Sequence, residues 1–144
     1  SLGSNKVRLA EPWRSAFRTF GNLPEVQAAQ LALADKAYFQ PALQTASDFG
    51  LKTELGLALA FDIQVQNGGI TAAARTQIQE KLARHPIGSE QDLRVIIANA
   101  VADKAAAKYR EDVRSRKLTL ATGVGVVHKA TFVLRNWGLD DLPA

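Results

Sequence analysis

The chain has 144 residues, 47% of them hydrophobic and 22% charged, which is the composition of a folded globular domain and excludes wholesale disorder. It contains no Cys and only two His, His85 and His128, so disulfide frameworks, thiolate zinc sites, cysteine nucleophiles and His-rich metal centres are excluded. The formal net charge is +4 with an isoelectric point near 9.6, a balance that suits nucleic acid, acidic lipid or an anionic cell wall and does not choose among them.

Met is absent even from position 1, so the sequence reads as a processed or excised segment. Residues 1–10, opening with Ser1-Leu2-Gly3-Ser4, read as a linker or tag remnant. Residues 11–144 read as a single helical domain, one lobe of a larger protein. There is no signal-peptide pattern and no apolar run of about 18 residues, so no membrane span is expected. Ala stands at 24 positions, and Leu, Gln, Lys and Arg supply much of the rest. These are strong helix formers. The expected fold is all-α, a compact multi-helix lobe around a central buried helix at about 51–67.

Pro12 suits the first turn of a helix that runs to about Phe20 and is stopped by Gly21-Asn22. Pro24 opens a second helix to about Phe39, and Pro41 breaks or kinks the chain. A short helix reaches Asp48, with Gly50 at the next junction. Leu51 to Asn67 follows, with Leu55-Gly56-Leu57-Ala58-Leu59-Ala60-Phe61 apolar on every face, as expected of a helix buried all round. Gly68-Gly69 gives it a left-handed stop. Thr71 caps a helix to about Arg84, and His85-Pro86-Ile87-Gly88 forms a turn. Ser89 caps another helix, with Glu90 and Asp92 favourable near its N-terminus. That helix is expected to pass through Ala105-Ala106-Ala107 toward Tyr109. Val124-Gly125-Val126-Val127 reads as a turn entering a last helix over about Val126 to Asn136. Trp13 and Trp137 read as core anchors, and His128 and His85 as surface or loop residues.

Asp62 is the residue most in need of explanation. Leu59, Ala58 and Leu55 precede it by three, four and seven residues, which puts a carboxylate on an apolar face. An ionised carboxylate there costs several kcal/mol unless paired, so a basic partner from the 104–116 region is expected. A purely architectural ion pair and a role in supporting a substrate cleft both fit. Gln64, Gln66 and Asn67 make a polar helix end. Amides both donate and accept, as sugar hydroxyls and N-acetyl groups require, although ordinary capping would use the same residues. Lys104, Lys108, Arg110, Arg114, Arg116 and Lys117 interleave with Asp103, Glu111 and Asp112. That pattern reads as a salt-bridged face, with a phosphate-tracking surface as the alternative. Gly123-Val124-Gly125 lacks the ending and the preceding strand of a phosphate loop. Glycosidases generally need two carboxylates across a cleft. Glu11, Glu54, Glu80, Glu90 and Glu111 are available, but none has a context that marks a general acid, so no catalytic residue is assigned. No metal site or cofactor is expected.

Tyr38-Phe39-Gln40-Pro41-Ala42, then Gly50-Leu51, Leu55-Gly56 and Phe61-Asp62, resemble the chitosanase family of glycoside hydrolases. They also resemble its peptidoglycan-cleaving, muramidase-like relatives in the lysozyme superfamily. Asp62 to Gly69 is more similar to the muramidase-like branch, and Leu134 to Asp140 is similar to the family's closing helix and turn. The resemblance implies a helical lobe on one side of a glycan cleft. It implies that Asp62 belongs to a charge network supporting catalysis, that Asn67 faces the cleft, that Lys104 replaces a family Arg, and that Glu111 stands near an acidic cleft position. The family's general acid and its partner lie in an N-terminal lobe before the region matching Trp13. The implied substrate is peptidoglycan or a related amino-sugar polymer, with chitosan the lesser choice. The implied partner is the missing N-terminal lobe, and the implied place is secreted, periplasmic or at the cell envelope. A helical nucleic-acid-binding module and a protein-interaction domain of a larger protein remain the alternatives.

Overall fold

The computed structural model describes residues 9–144; residues 1–8 of the expected linker lie outside it. It comprises two compact units, residues up to 37 and residues 38–144. The first holds α1 (Trp13–Gly21) and α2 (Pro24–Ala34). Neither helix buries a residue. Trp13, Ala16, Phe17 and Phe20 share one face of α1 and line a shallow apolar depression, so Trp13 is an exposed side chain and not a core anchor.

A π-helical turn, Asp35–Phe39, leads to α3 (Gln40–Phe49). Pro41 has no N–H to continue an ordinary helical ladder, and a wider turn just before it is the usual accommodation. The second unit continues with α4 (Glu54–Asn67), α5 (Ala72–Arg84), α6 (Glu90–Asp103) and α7 (Arg110–Thr122). Side-chain caps start three of these helices, because the first backbone N–H groups of a helix have no internal partner. Thr53 accepts from Gly56 N at 3.1 Å, Thr71 from Ala74 N at 3.2 Å and Ser89 from Asp92 N at 3.2 Å. Helix α4 ends at Gly68, left-handed at φ 71°.

Helix α4 is central, as its composition implies. Leu55, Leu59, Ala60 and Ile63 pack into a core with Ile78 of α5, Leu93, Ile97 and Val101 of α6, and Ala121 of α7. It is not buried all round. Phe61 is 37% and Val65 47% exposed, so one apolar stripe faces outward.

Two boundaries differ from the sequence reading. Helix α6 stops at Asp103, and a single 3-10 turn, Ala107–Tyr109, separates it from α7. The expected last helix is instead a hairpin, β1 (Val124–Val127) and β2 (Ala130–Val133), antiparallel with Gly125 opposite Phe132 and Val127 opposite Ala130. Its two turn residues, His128 and Lys129, have φ of 49° and 69°. A two-residue turn with both φ positive matches the right-handed twist of the strands. A 3-10 turn, Leu134–Trp137, follows. Trp137 is 73% exposed and packs only obliquely against Phe132, with ring centroids 6.5 Å apart, so it is not a core anchor either. Gly125 is where the hairpin crosses α7: a Cβ there would collide with the Thr119 side chain and lie 3.1 Å from its Cα.

The C-terminal residues are tied down by Arg94, which is fully buried on α6. Its Nε donates to Ala121 O at 2.9 Å, Nη1 to Thr53 Oγ1 at 2.7 Å, and Nη1 and Nη2 to the Asp141 carboxylate at 2.8 and 3.0 Å. Glu90 joins at 3.3 Å and also accepts from Lys52 N and Thr53 N. Gly56 leaves room for it, since a Cβ there would stand 2.5 Å from Glu90 Oε1. Thr53 bridges Pro143, and Glu54 N donates to Leu142 O at 2.8 Å. One guanidinium thereby joins α4, α6, α7 and the chain end.

Burial raises the Glu90 pKa, but hydrogen bonds from Thr53, Lys52 and Arg94 outweigh it and leave the group below its ordinary value. The Arg94 hydrogen bond is the main reason Asp141 also lies low. Both carboxyls bind protons less readily folded than unfolded. Their stabilisation is therefore complete above the ordinary values of 4.5 and 3.8 and is lost as pH falls through the folded ones. Arg94→Met should destabilise the second unit by about 3–5 kcal/mol, the cost of leaving buried partners unpaired. It should also flatten the loss of urea stability below about pH 5. Urea melts of both proteins at neutral and acid pH read both effects.

Candidate functional site

Asp62 lies on the buried face of α4 with 7% of its surface exposed. Two consecutive residues of α7 meet it. Arg116 Nε donates to Oδ1 at 2.6 Å, and its Nη2 contacts the same oxygen. Lys117 Nζ donates to Oδ2 at 2.7 Å and to Gln66 Oε1 at 2.8 Å. The expected partner region ended at 116, so it contains the first cation and stops one residue short of the second. Lys117 is fully buried and Arg116 about half exposed. Consecutive helical residues point about 100° apart, so α7 can send one cation inward and the other to the rim.

Burial pushes the Lys117 pKa below the ordinary lysine value; the hydrogen bond and charge of Asp62 oppose that shift, and neighbouring Arg116 adds to it. One carboxylate thus faces two cations, and the cluster carries one surplus positive charge. Gln66 satisfies a further Lys117 donor without adding charge.

Two depressions flank the C-terminal half of α4. The larger, about 410 Å³, runs between α4, α7 and the hairpin. Phe61, Val65, Leu120, Val127, Phe132 and Leu139 make it apolar, and Asp62 and Arg116 are its charged lining residues. The smaller, about 110 Å³, joins Asn67, Thr71 and Lys104. Asn67 Oδ1 is buried without a hydrogen-bond partner among the described residues, which costs free energy.

The residues singled out from sequence divide accordingly. Asp62 and Gln66 share the charge cluster, and Asn67 and Lys104 share the small pocket. The Gln64 amide oxygen lies against Gly69, 3.1 Å from where a Cβ would stand. Glu111 does not join either group: it is 81% exposed and pairs with Arg114 at 3.3 Å. Arg114 also binds Asp103 at 2.7 Å and Asn99 at 2.6 Å. Three of the six basic residues between 104 and 117 are therefore engaged with carboxylates, which leaves little for a phosphate-tracking face. Among the acids considered for catalysis, Glu90 belongs to the Arg94 cluster and Glu54 accepts from Asp140 N at 2.9 Å. His128 is an exposed turn residue 3.2 Å from Asp112. Among the described residues no group of His, Asp and Glu could hold a metal ion. No helix there is long and apolar enough to cross a membrane. The apolar groove was not anticipated. Its signal was the run Ala130-Thr131-Phe132-Val133, whose β-branched and aromatic residues favour a strand.

Residues 2–93 match the family model described as glycosyl hydrolase family 46. The chain belongs to that family. A chitosanase of Bacillus subtilis (strain 168) is 39% identical over 54 residues, 38% of this chain and 20% of the relative. The alignment thus covers about a fifth of that protein's length. No solved structure matches. The family match contains Asp62 and the amides after it; α7 and the hairpin lie beyond it.

Asp62→Asn keeps the shape but leaves a buried ammonium without a counter-charge. It should cost about 3–5 kcal/mol. Arg116→Gln should cost under about 1 kcal/mol, because its half-exposed charge is screened by water. Equal losses for the two variants in urea unfolding would contradict this division between an inner and a rim cation.

Proposed function

We propose that this chain forms the glycan-facing lobe of a lysozyme-like hydrolase acting on peptidoglycan, with chitosan the lesser candidate. The general acid and base come from residues outside this chain. The observation that carries the reading is the pocket at the end of α4, where Asn67 and Lys104 converge. The Asn67 amide N–H and the Lys104 ammonium line this pocket and can donate to the oxygens of a sugar.

The preference for peptidoglycan rests on sign. The chain carries a net +4, and two cations share the single Asp62 carboxylate. A chitosan chain bears ammonium groups and is repelled by such a field; the bacterial wall is anionic and is attracted. An envelope or extracellular location follows from that substrate. The exposed face of Trp13, Phe17 and Phe20 supports docking of a further lobe, since contiguous apolar surface of this kind marks interaction sites.

The test is an NMR titration with an N-acetylglucosaminyl-N-acetylmuramic acid disaccharide and with chitosan oligomers, alongside turbidity of purified peptidoglycan. The expected result is shifts at Gln64 to Asn67 and Lys104 with the disaccharide, weaker shifts with chitosan, and no turbidity loss. Shifts with chitosan alone would replace the substrate. No shifts with either glycan would remove the glycan reading, and turbidity loss by this chain would place the catalytic carboxylates within it.

A further inference from the structure

Residues 139–144 lie along the start of α4, and none of them is buried. Their attachments are polar. Asp140 N donates to Glu54 Oε2 at 2.9 Å, Glu54 N to Leu142 O at 2.8 Å and Ala144 N to Lys52 O at 2.9 Å. Thr53 bridges Pro143, and the Asp141 carboxylate accepts from both terminal nitrogens of Arg94 at 2.8 and 3.0 Å. Leu142 is 56% exposed, so it adds little apolar burial. A segment held by such hydrogen bonds, with few buried apolar contacts, opens at a lower free energy than the core beneath it.

The charges of the Arg94 cluster permit that opening. Two carboxylates, Glu90 and Asp141, face one guanidinium. Without Asp141, Arg94 still pairs with Glu90 at 3.3 Å and still donates to Thr53 Oγ1 and Ala121 O. The buried cation keeps a counter-charge and acceptors, so the release of Asp141 does not strand it in the core. Glu54 N, in the first turn of α4, has no acceptor within its helix, and water can replace Leu142 O. The Asp140–Arg135 pair, 3.5 Å apart and exposed, holds little. Gly138 stands just before the segment, left-handed at φ 81°. A Cβ there would meet nothing within 4 Å, so the backbone has room to turn at a residue that tolerates either sign of φ.

We propose that residues 139–144 form a strap that opens about Gly138 while the rest of the second unit stays folded, and that this strap gates the apolar groove between α4, α7 and the hairpin. Leu139 makes the connection. It follows the hinge glycine and lines the groove of about 410 Å³ together with Phe61, Phe132 and Leu134. Opening withdraws Leu139 from that wall and frees the Glu54 carboxylate from Asp140 N. Closure restores both, with Asp141 returning to Arg94 as the latch.

The experiment is NMR on the full chain and on Asp141→Lys. In the unaltered chain, the amides of Glu54, Asp140 and Ala144 should exchange with solvent at least about a hundredfold faster than those of Ile97 and Ala98 in α6, and at rates that hardly change in low urea, because a local opening exposes little surface. Asp141→Lys sets a cation against Arg94 and favours the open strap, while Glu90 remains as the counter-charge. Its strap amides should lose protection, the Leu139 methyl signals should move to unpacked positions, and those of Phe61, Phe132 and Leu134 should shift, with the dispersed spectrum of α6 retained. Asp141→Asn should do the same in part, speeding exchange of the strap amides by about tenfold, the scale of a weakened charge-assisted hydrogen bond. Strap amides that exchange in the unaltered chain at the rate and urea dependence of Ile97 and Ala98 would overturn the strap, since it would then open only with the whole unit. Loss of the α6 spectrum in Asp141→Lys would overturn it too. Freed strap amides with unmoved Leu139 and groove signals would overturn the gate.

Discussion

A buried carboxylate shared by two cations fixes how α4 and α7 meet. Asp62 cannot leave water without partners, and it obtains both from adjacent positions on α7. That pairing sets the register of α7 against the central helix. The register in turn places Leu120 on the groove and Thr119 beneath the hairpin, where only a glycine at 125 avoids collision. Arg94 performs a similar task at the other end of α4, gathering the start of the helix, the end of α7 and the chain terminus around one guanidinium. The apolar core supplies most of the burial between these two clusters. The clusters supply direction, because an ion pair in low dielectric tolerates little displacement.

The Asp62 cluster is asymmetric. Lys117 is sealed in and already has Asp62 and Gln66 as acceptors. Arg116 stands at the rim, about half exposed. The same carboxylate therefore holds one cation inside the fold and another at its rim. At the end of α4, Asn67 keeps a buried oxygen without a donor among the described residues. Membership of glycosyl hydrolase family 46 gives these features a common setting without fixing the polymer.

Much of the helical plan was legible in the residues. Thr71 and Ser89 announced their helices by capping, whereas the Thr53 cap came to light only in the structure; Asp62 announced a basic partner by standing on an apolar face. The resemblance of the segments from Tyr38 to Asp62 to chitosanases was likewise borne out by the family match. The hairpin was not legible. Its turn is His128-Lys129, and the usual sign of such a turn is Asn-Gly or Asp-Gly, which adopt positive φ at lower cost. Val124-Gly125-Val126-Val127 is too short to display alternation, and its glycine reads as a breaker until Thr119 is seen packed beneath it. Trp13 and Trp137 misled for another reason. Tryptophan is usually largely buried, but exposed aromatic surface is retained where a protein meets a partner or ligand. Glu111 was carried by spacing alone, and the break after Asp103 turned it toward Arg114.

Lys117 is a desolvated ammonium held by Asp62, and the meeting of α4 and α7 depends on it. The direct measurement is an NMR titration of the Lys117 side-chain carbon next to the amine. Titration below the ordinary lysine value, displaced further downward when Asp62 is replaced by Asn, is the predicted result. Titration at the ordinary value, unchanged by that substitution, would mean that the amine is in water and that the carboxylate does not hold α7 to α4.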